Sequence, residues 1–512
     1  MDIKLFAFLR QSIRLRRHVY LDYNATTNVS SQVRRRMNQV LKHDYGNPSA
    51  LYGIARKSAE IMGDARQLLA EAIHAVPDEI YFTGCATESN NAVLKSVSNH
   101  FYPSKNKIIS TPIEHPSVIN TLEFLKTTGI VVEYCRVDRQ GRVSPAELEK
   151  LIDEDTFLVC CMLANNEIGT IQDIREITKI AHQKGVLVMS DCVQAFGKIP
   201  VDVSNLGIDY ASFSAHKLYG PKGVGALYVR QGSPFAPFIH GGHQESGMRA
   251  GTEGLHNIAG FGTACQEVPR HLAHAEKIKA LKLKLIDRIR VIKPDCVINS
   301  PDDDCLPNTT SITFPNMNSA GLMAMLDFNG IAVSGGSACS THVEKPSHVL
   351  KSIGLSDQAA KETIRISLGC DTTEQDIRYV TKVLRDYSDG RTLQVNMITP
   401  TQLNESILFD EQTYILDVRP QIQRRNLNSL SNSHEASFFQ IEKYLNQLPK
   451  DKDILVVCQH GDLSIITAFY LKSKGFERVT NLLSGLTGVK MRRGDLYQKY
   501  AGQNISVIKP IS

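Results

Sequence analysis

The chain has 512 residues and a net charge of +5, with 22% charged and 42% hydrophobic residues, a composition typical of globular proteins. The length predicts roughly two to four domains. The small net charge argues against a nucleic-acid-binding surface, which needs concentrated basic residues, and no apolar run is long enough to cross a bilayer. The 11 cysteines include no C-x-x-C pair, which favours free thiols in a reducing compartment over a disulfide framework or a zinc site.

Residues 1–18 form a basic leader with one lysine and four arginines among short apolar stretches. The pattern partly fits a transit peptide, but its apolar run is too short and too interrupted for a secretory signal. We therefore expect a solvated leader before the first strand and a cytoplasmic location, with organellar targeting as the alternative.

Residues 19–387 alternate strand and helix patterns. Short apolar runs bounded by polar turns predict strands at Phe157–Met162 and Val186–Met189, and a 3.6-residue periodicity predicts helices at Ala59–Ile73 and Ala275–Ile289. This alternation is typical of an α/β fold with a mainly parallel sheet.

A second α/β pattern follows a break in the first. Residues 388–396 are typical of a linker. Thr399 and Pro400 then predict a helix start, with Thr as the N-cap and Pro at the first helical position, and Ile454–Cys458 predicts a strand. We expect a separate domain over residues 397–512.

Lys217 ends the run Ser214-Ala215-His216-Lys217. A loop lysine that is kept partly dry can lose its proton and bind a carbonyl cofactor such as pyridoxal phosphate (PLP) covalently. Small and hydroxylated neighbours let backbone N–H groups reach a phosphate. Taken alone, the run favours a surface lysine over a cofactor lysine.

Other polar residues stand where a cofactor site would need them. Asp191 follows the apolar run Val186–Met189 and should point into the ligand crevice of a parallel sheet. There it would pair with the pyridinium nitrogen of PLP; a helix N-cap is the alternative. Ala86 and Thr87 predict a phosphate cradle at a strand-to-helix turn, whereas His115 alone would be structural.

Eleven blocks within residues 19–387 closely resemble, in the same order, the cysteine desulfurases, which are class V aminotransferase-type proteins of PLP fold type I. The blocks are LDYNATT (Leu21–Thr27), GNPSALYG (Gly46–Gly53), ATESNN (Ala86–Asn91), EHPSV (Glu114–Val118), NNEIGTIQ (Asn165–Gln172), SDCVQAFGK (Ser190–Lys198), SFSAHKLYGPKGVGALYVR (Ser212–Arg230), RAGTE (Arg249–Glu253), GSACS (Gly336–Ser340), KPSHVL (Lys345–Leu350) and RISLG (Arg365–Gly369). The resemblance implies a large domain with a mainly parallel seven-stranded sheet and a small α/β domain.

The resemblance also assigns roles by matching position. Lys217 would hold PLP covalently and would act in catalysis with His115, which stacks on the ring, and with Cys339. Gln194 would meet the ring hydroxyl, and Arg365 would hold the substrate carboxylate together with Asn165. The residues expected to contact PLP are Ala86, Thr87, His115, Asn165, Asp191, Gln194, Ser214, His216, Lys217 and Thr252.

Two further expectations follow from the same resemblance. Thr252 would reach the phosphate bound by the partner subunit, which implies a homodimer. No metal site is expected, although Cys339 could serve as a transient iron–sulfur ligand. Cys85 stands where the family usually has Gly and Ser246 where it has Arg, which puts cofactor affinity and details of the dimer contact in doubt.

Cys339 lies in the Gly/Ser-rich run Ser334–Ser340. Sulfur abstraction needs a mobile thiolate that can attack the substrate sulfur and carry a persulfide away. An arbitrary cysteine is more often a buried small hydrophobe, but this one stands at the family's catalytic position. Its spacing to Pro346 resembles the long-loop desulfurases of the iron–sulfur and nitrogen-fixation type.

The C-terminal region resembles rhodanese domains. Ile415–Arg419 resembles their LDVR strand and Val456–Ser464 their active loop, with Cys458 as the sulfur carrier. Successive N–H groups in such a loop stabilise a thiolate or persulfide. Leu463 replaces a common Arg and Asp462 adds negative charge, so a docking module without sulfur transfer is the alternative.

These features predict conversion of L-cysteine to L-alanine with a persulfide on Cys339. The sulfur would serve iron–sulfur cluster assembly or thiolation through acceptor proteins such as an iron–sulfur scaffold, with Cys458 as a possible relay. A selenocysteine lyase or another PLP lyase fits the same fold, and a non-catalytic sulfur-delivery scaffold is the alternative of another class. Neither direct nucleic-acid binding nor membrane binding is expected.

Overall fold

The computed structural model describes residues 18–317, 319–335, 346–389, 395–424, 427–502 and 506–507. Cys339 and all of the predicted leader except His18 lie outside the described residues.

A seven-stranded sheet forms the centre of the first domain. The first eight strands are β1 (Val19–Tyr20), β2 (Ile80–Thr83), β3 (Lys107–Ser110), β4 (Val131–Tyr134), β5 (Thr156–Cys160), β6 (Leu187–Asp191), β7 (Tyr210–Ser214) and β8 (Gly225–Val229). The sheet has the order β2-β8-β7-β6-β5-β3-β4. Only β8 runs antiparallel to its neighbours within this sheet, so the predicted mainly parallel seven-stranded sheet is confirmed.

Helices cover the sheet and build the other layers. The α-helices of the described residues are α1 (Ser31–His43), α2 (Gly53–Ile73), α3 (Ala86–Phe101), α4 (Pro116–Lys126), α5 (Pro145–Leu151), α6 (Ile174–Gln183), α7 (Val203–Leu206), α8 (Leu255–Gln266), α9 (Val268–Ala273), α10 (Ala275–Ile292), α11 (Ser319–Phe328), α12 (His348–Ser352), α13 (Asp357–Lys361), α14 (Glu374–Ser388), α15 (Glu405–Leu408), α16 (Gln421–Arg424), α17 (Asp462–Ser473), α18 (Gly485–Arg492) and α19 (Gly494–Tyr500). Short 3₁₀ segments lie at Pro77–Glu79, Ala215–Lys217, Gln244–Gly247 and Phe438–Gln447. Within the described ranges, no helix combines the length and the apolar character of a bilayer span.

The central strands contribute side chains to two hydrophobic cores, because successive side chains of a strand point to opposite faces of the sheet. Val188 and Ala211 join the core on one face, and Met189 and Tyr210 join the core on the other. All four side chains are buried, and each large one contributes roughly 1.5–3 kcal/mol. The sheet is therefore a rigid support for residues at its strand ends.

A smaller antiparallel sheet follows in the chain, as the resemblance predicts for the small domain. Its strands are β9 (Val297–Ile298), β10 (Thr309–Thr313), β12 (Ser334–Gly335) and β13 (Thr363–Ser367), in the order β12-β13-β10-β9. The remaining strand of this region, β11 (Ile331–Ala332), pairs with β1 near the N-terminus. This pairing ties the start of the chain to the small domain.

The C-terminal region has its own sheet, which is parallel throughout. Its strands are β14 (Asn396–Ile398), β15 (Thr413–Asp417), β16 (Ser433–Glu435), β17 (Asp453–Val457), β18 (Val479–Leu482) and β19 (Ser506–Val507), in the order β14-β18-β17-β15-β16-β19. The predicted strand at Ile454–Cys458 is shifted by one residue from β17.

The predicted helix start at Thr399 and Pro400 is wrong. A turn occupies these residues, and the Thr399 side chain bonds to Oε1 of Gln402 at 3.1 Å. Helix α15 begins later, because the side chain of Asn404 accepts the N–H of Ile407 at 3.1 Å and caps the first turn there.

The C-terminal domain packs against the small domain through one shared hydrophobic core. The rings of Phe328 in α11 and Phe469 in α17 stack with centroids 4.3 Å apart and planes 17° apart. Helix α17 directly follows the loop of Cys458, and α11 precedes the strands that lead to the Cys339 loop. The two elements next to the predicted sulfur carriers are therefore in contact.

Candidate functional site

Two parallel strands place Asp191 and Lys217 at the same edge of the central sheet. Asp191 ends β6 opposite Ser212 of β7, and Lys217 ends the 3₁₀ turn that follows Ser214. In α/β folds, ligands bind outside the carboxyl ends of such strands. Both side chains line a cavity of about 330 Å³. Asp191 does not cap a helix, since the next helix begins at Val203.

The same cavity brings together most of the predicted cofactor contacts. The predicted residues that line it are Ala86, Thr87, His115, Asp191, Gln194, Ser214, His216, Lys217 and Arg365. The further lining residues are Asn24, Ala25, Cys85, Ser117, Met162, Asn166 and Val193. Their roles toward a cofactor remain predictions.

The amine of Lys217 is held at the cavity wall by backbone oxygens. Its Nζ donates to the carbonyl of Asn24 at 2.6 Å and to that of Ala25 at 2.7 Å. Carbonyl acceptors orient the amine at the cavity wall. This setting suits an amine that must react or exchange a proton.

A chain of hydrogen bonds fixes the carboxylate of Asp191. Its Oδ1 accepts the N–H of Val193 at 3.0 Å, and its Oδ2 accepts Nδ2 of the buried Asn90 at 3.0 Å. The same Asn90 nitrogen donates to Oγ of Ser117 at 2.9 Å, and Ser117 Oγ lies 2.8 Å from Nδ1 of His115. The carboxylate and the imidazole are therefore positioned by one network.

His115 is held as a neutral imidazole. Burial lowers the pKa of His115, and the charge of Lys217 also lowers it against the opposing effect of Asp191. Its Nδ1 accepts the N–H of Ser117 at 3.1 Å, which leaves the ring proton on Nε2. The ring can therefore pack against an aromatic cofactor without carrying a charge.

The start of α3 has the features of a phosphate cradle. The N-cap Cys85 makes no side-chain capping bond, so N–H groups of the first turn, including those of Ala86 and Thr87, are available to an anion. A Cβ on Gly225 would lie 2.7 Å from the Cys85 carbonyl carbon. Glycine is needed there because β8 approaches this turn so closely.

His216 and Ser214 also line the cavity and are further predicted phosphate contacts. Burial lowers the pKa of His216 to about 4, and the charges of Lys217 and Lys222 contribute. Its Nδ1 bonds with Oγ1 of Thr26 at 3.1 Å. A neutral His216 can still offer one N–H to a phosphate oxygen.

Arg365 is the buried cation of the cavity and is only 2% exposed. Its Nη2 donates to Oδ1 of Asp22 at 2.7 Å and its Nη1 to the carbonyl of Asn166 at 2.9 Å. Its Nε is buried without a hydrogen bond to any described residue. A buried donor without a partner is costly, and a carboxylate in the cavity would satisfy it.

The structure gives Asn165 a different position from the predicted one. Its Oδ1 accepts the N–H groups of Glu167 and Ile168, and its Nδ2 donates to the carbonyl of Ile113 at 2.9 Å. The Asn165 side chain therefore stabilises the turn in which it lies. The next residue, Asn166, lines the cavity instead. Thr252 also does not line the cavity, and it lies exposed on the surface.

The described residues on either side of residues 336–345 contact the surroundings of the cavity. On one side, Ser334 of β12 pairs with Arg365 of β13. On the other, Oγ of Ser347 donates to Oε2 of Glu167 at 2.5 Å.

Cys458 lies at the end of β17 in the C-terminal domain and is 0% exposed. Its Sγ accepts the N–H of Gly461 at 3.1 Å and donates to Oγ of Ser464 at 3.3 Å. The N–H contact favours a thiolate or persulfide at this position. Because the thiol is fully buried, sulfur can reach it only if the loop opens.

Two substitutions relative to the family lie in different settings. Cys85 is exposed and lines the cavity. Ser246 adopts a left-handed backbone with φ of 57° next to Glu245, whose buried carboxylate pairs with Arg66 at 2.8 Å. Neither position interrupts the hydrogen bonds of Asp191 or Lys217.

Sequence reasoning missed Asn24, Asn90 and Ser117 as site residues. Each lies within one of the conspicuous sequence blocks, at LDYNATT, ATESNN and EHPSV. Their chemistry as neutral polar residues gave no signal, since their contribution is to hold Lys217, Asp191 and His115.

Comparison with known proteins identifies relatives of both parts of the chain. The sequence model of the aminotransferase class-V family matches residues 19–380, and that of the rhodanese-like domain matches residues 399–492. Cysteine desulfurase IscS of Dictyoglomus turgidum is 41% identical over 374 residues, which cover 72% of this chain and 94% of that protein. Cysteine desulfurase NifS of Azotobacter vinelandii is 37% identical, covering 70% of this chain and 90% of that protein.

Solved structures agree with these sequence matches. A NifS-like protein superposes with a TM-score of 0.70 at 41% identity, covering 73% of this chain and 100% of that chain. A NifS-like protein from Rickettsia africae superposes with a TM-score of 0.66 at 32% identity, again covering 73% of this chain and 100% of that chain.

Proposed function

Because the chain belongs to the class-V aminotransferase family and, within it, to the cysteine desulfurases, we propose that it takes sulfur from L-cysteine and releases L-alanine. The sulfur is carried as a persulfide on Cys339. One observation carries the proposal: Lys217, Asp191 and Arg365 line a single cavity, and the strand that leads to Cys339 pairs with Arg365.

The cofactor is PLP, and the cavity residues fit it. The uncapped start of α3 and His216 would hold the phosphate, Asp191 would pair with the ring nitrogen, and the ring of His115 would pack on the cofactor ring. Lys217 supplies the amine that anchors the group. When bound, PLP supplies an electron sink for the substrate's reacting carbons.

Arg365 and Lys217 act on the substrate. Arg365 pairs with the substrate carboxylate through its guanidinium, whose Nε has no partner among the described residues. Lys217, once its amine is free and neutral, takes the proton from the substrate Cα and later delivers a proton to Cβ. The carbonyls of Asn24 and Ala25 keep that amine near the cavity throughout.

Cys339 takes the sulfur as a thiolate. Its Sγ attacks the substrate sulfur, so one S–S bond forms and the Cβ–S bond breaks with its electron pair remaining on Cβ. Protonation of Cβ and the return of a proton to Cα complete alanine, and the sulfur stays on the enzyme as a persulfide. Thiol exchange then passes it to an acceptor.

Two rival functions are separated by simple measurements. A selenocysteine lyase would release alanine from selenocysteine and turn over cysteine poorly, so parallel assays with both substrates decide between them. A non-catalytic scaffold need not retain PLP, whereas a desulfurase shows the visible absorption of the bound cofactor and forms alanine from cysteine. A protein that binds PLP but forms no alanine would overturn the proposal.

We further propose that sulfur moves from Cys339 to Cys458. Both thiols lie on one chain, which gives an effective concentration of about the millimolar range, and the packing of Phe328 on Phe469 holds the neighbouring elements together. After incubation with L-cysteine, Cys458 should carry sulfur in the parent protein and none in Cys339→Ser. Peptide mapping by mass spectrometry provides the measurement.

The structure offers a control for this relay. Cys85 is exposed and Cys296 is partly exposed, whereas Cys458 is buried, so sulfur that reached thiols according to their exposure alone would label Cys85 and Cys296 before Cys458. Cys458→Ala should leave alanine formation intact when a small thiol acceptor is present. Sulfur found on Cys339 and never on Cys458 would reject the relay and favour a docking module.

The assembly and the cellular setting also belong to the proposal. The exposed position of Thr252 is compatible with a contact to the phosphate site of a second subunit in a homodimer. The ten cysteines of the described residues are all free, which suits a reducing compartment such as the cytoplasm. Sulfur-acceptor proteins, such as an iron–sulfur scaffold, are the proposed partners.

A further inference from the structure

Lys198 is an amine near the site that the proposed chemistry does not use. Its Nζ donates to Oε1 of Gln194 at 2.5 Å and to Oδ1 of Asn24 at 2.8 Å. Both acceptor residues line the cofactor cavity. Lys198 itself lines a smaller neighbouring cavity of about 30 Å³, and Lys217 lines both. Lys198 therefore lies just outside the cofactor site.

The contact with Lys198 decides which way the Gln194 amide faces. A lysine amine with two acceptors acts on them as a donor, so the amide must turn its oxygen toward Lys198. The NH₂ group then lies on the other side, where Nε2 donates to the carbonyl of Asn24 at 3.0 Å. Its second N–H remains to be offered to a group in the cavity.

Asn24 links the same lysine to the cofactor lysine. Its Oδ1 accepts from Lys198 and from Nδ2 of Asn308 at 3.0 Å. Its backbone oxygen accepts from Gln194 and from Lys217. The Asn24 side chain is therefore held by two donors, and its backbone oxygen is fixed in position to accept from Gln194 and Lys217.

The charge state of Lys198 does not alter this geometry. Burial lowers the pKa of Lys198 well below its usual value, and the positive charges of Lys217 and Arg365 lower it further. A protonated amine has three N–H donors and a neutral amine has two. Either form can satisfy the two oxygens that it contacts.

We propose that Lys198 is a positioning residue for the cofactor: it fixes the Gln194 amide so that an N–H, and not the carbonyl oxygen, is presented to the ring oxygen of PLP. Without Lys198 the amide could turn over and present its oxygen, which would repel an anionic ring oxygen. The proposal rests on PLP binding in this cavity, which belongs to the proposed function.

The test is PLP binding to the apo protein, measured by equilibrium dialysis together with the visible absorption band. Lys198→Met keeps an unbranched side chain of similar length but removes the N–H donors. It should raise the PLP dissociation constant about tenfold, which is the effect of losing one hydrogen bond to a charged group. The visible band should also shift, because the ring oxygen loses its donor. Lys282→Met is the matched control, since Lys282 is a buried lysine that donates to the carbonyl of Leu306 and lines neither cavity.

A double-mutant cycle separates positioning from general stability. In a Gln194→Ala background, Lys198→Met should weaken PLP binding less than about twofold, because the amide through which it acts is gone. An equal loss in both backgrounds, or no loss in the parent background, would overturn the proposal. If Lys198→Met does not fold, Lys198→Gln is measured in the same cycle, since its own amide no longer selects one orientation of Gln194.

Failure of the proposed function and failure of the proposed role of Lys198 give different experimental results. If the parent protein neither binds PLP nor shows the visible band, the proposed function fails. If the parent binds PLP normally and the cycle is additive, only the role of Lys198 fails.

Discussion

Alanine formation from cysteine should fall by at least about 10³-fold in Lys217→Ala, because the change removes both the covalent anchor of PLP and the proton carrier. Of the described residues that line the cavity, Lys217 is the only lysine, and the amine of the nearby Lys198 is bonded to Gln194 and Asn24 instead. The visible absorption band of the bound cofactor should disappear as well. Alanine assays and absorption spectra of the purified variant measure both effects.

Lys222→Ala is the matched control for Lys217→Ala. Lys222 belongs to the same sequence block, but its side chain is exposed and does not line the cavity. This variant should keep both the absorption band and alanine formation near the parent level. Alanine formation at the parent rate by Lys217→Ala would end the PLP-desulfurase account.

Cys339→Ser should separate cofactor binding from sulfur removal. The serine oxygen is a poor nucleophile toward sulfur compared with a thiolate, so we expect alanine and sulfide release to fall on the order of 10³-fold or more. PLP binding and the spectral response to added cysteine should persist, because Lys217, Asp191 and Arg365 are untouched. Absorption spectroscopy and alanine assays on the same sample test both parts.

Cys296→Ser controls for the loss of an arbitrary thiol. Cys296 is partly exposed and does not line the cofactor cavity, so the variant should retain parent activity. If Cys339→Ser also keeps activity near the parent level, another thiol or a mechanism like that of a selenocysteine lyase must take its place. The exposed Cys85 inside the cavity would be the first thiol to examine in that case.

Elements of the fold that depend on a local pattern of apolar and polar residues could be predicted from the sequence. Apolar runs between polar turns predicted β5 and β6 to within a few residues, because buried parallel strands need continuous apolar stretches. The position of Asp191 after such a run placed it at the carboxyl edge of the sheet. Lys217 follows the next strand, β7, so both residues had to face the same crevice.

The details that depend on tertiary contacts could not be predicted. Asn165 and Asn166 are adjacent and chemically identical, and only the fold of their turn decides which one lines the cavity. The contact of Lys198 with Asn24 joins segments that lie 174 residues apart in sequence. Residue type alone does not show which buried lysine meets which amide.

The wrong prediction of a helix start at Thr399 and Pro400 has a similar cause. Thr399 before Pro400 has the local chemistry of a helix start, but Asn404 offers a second capping side chain five residues later. Local signals of nearly equal strength are decided by packing, and here the chain forms a turn before α15.

The most direct test of the central claim is mass spectrometry of every cysteine peptide after the PLP-loaded protein is incubated with L-cysteine, combined with measurement of the alanine released. The account predicts one added sulfur on Cys339 and one alanine for each sulfur transferred in the first turnover. Alanine release with no sulfur on Cys339, or sulfur on Cys339 without alanine, would contradict it.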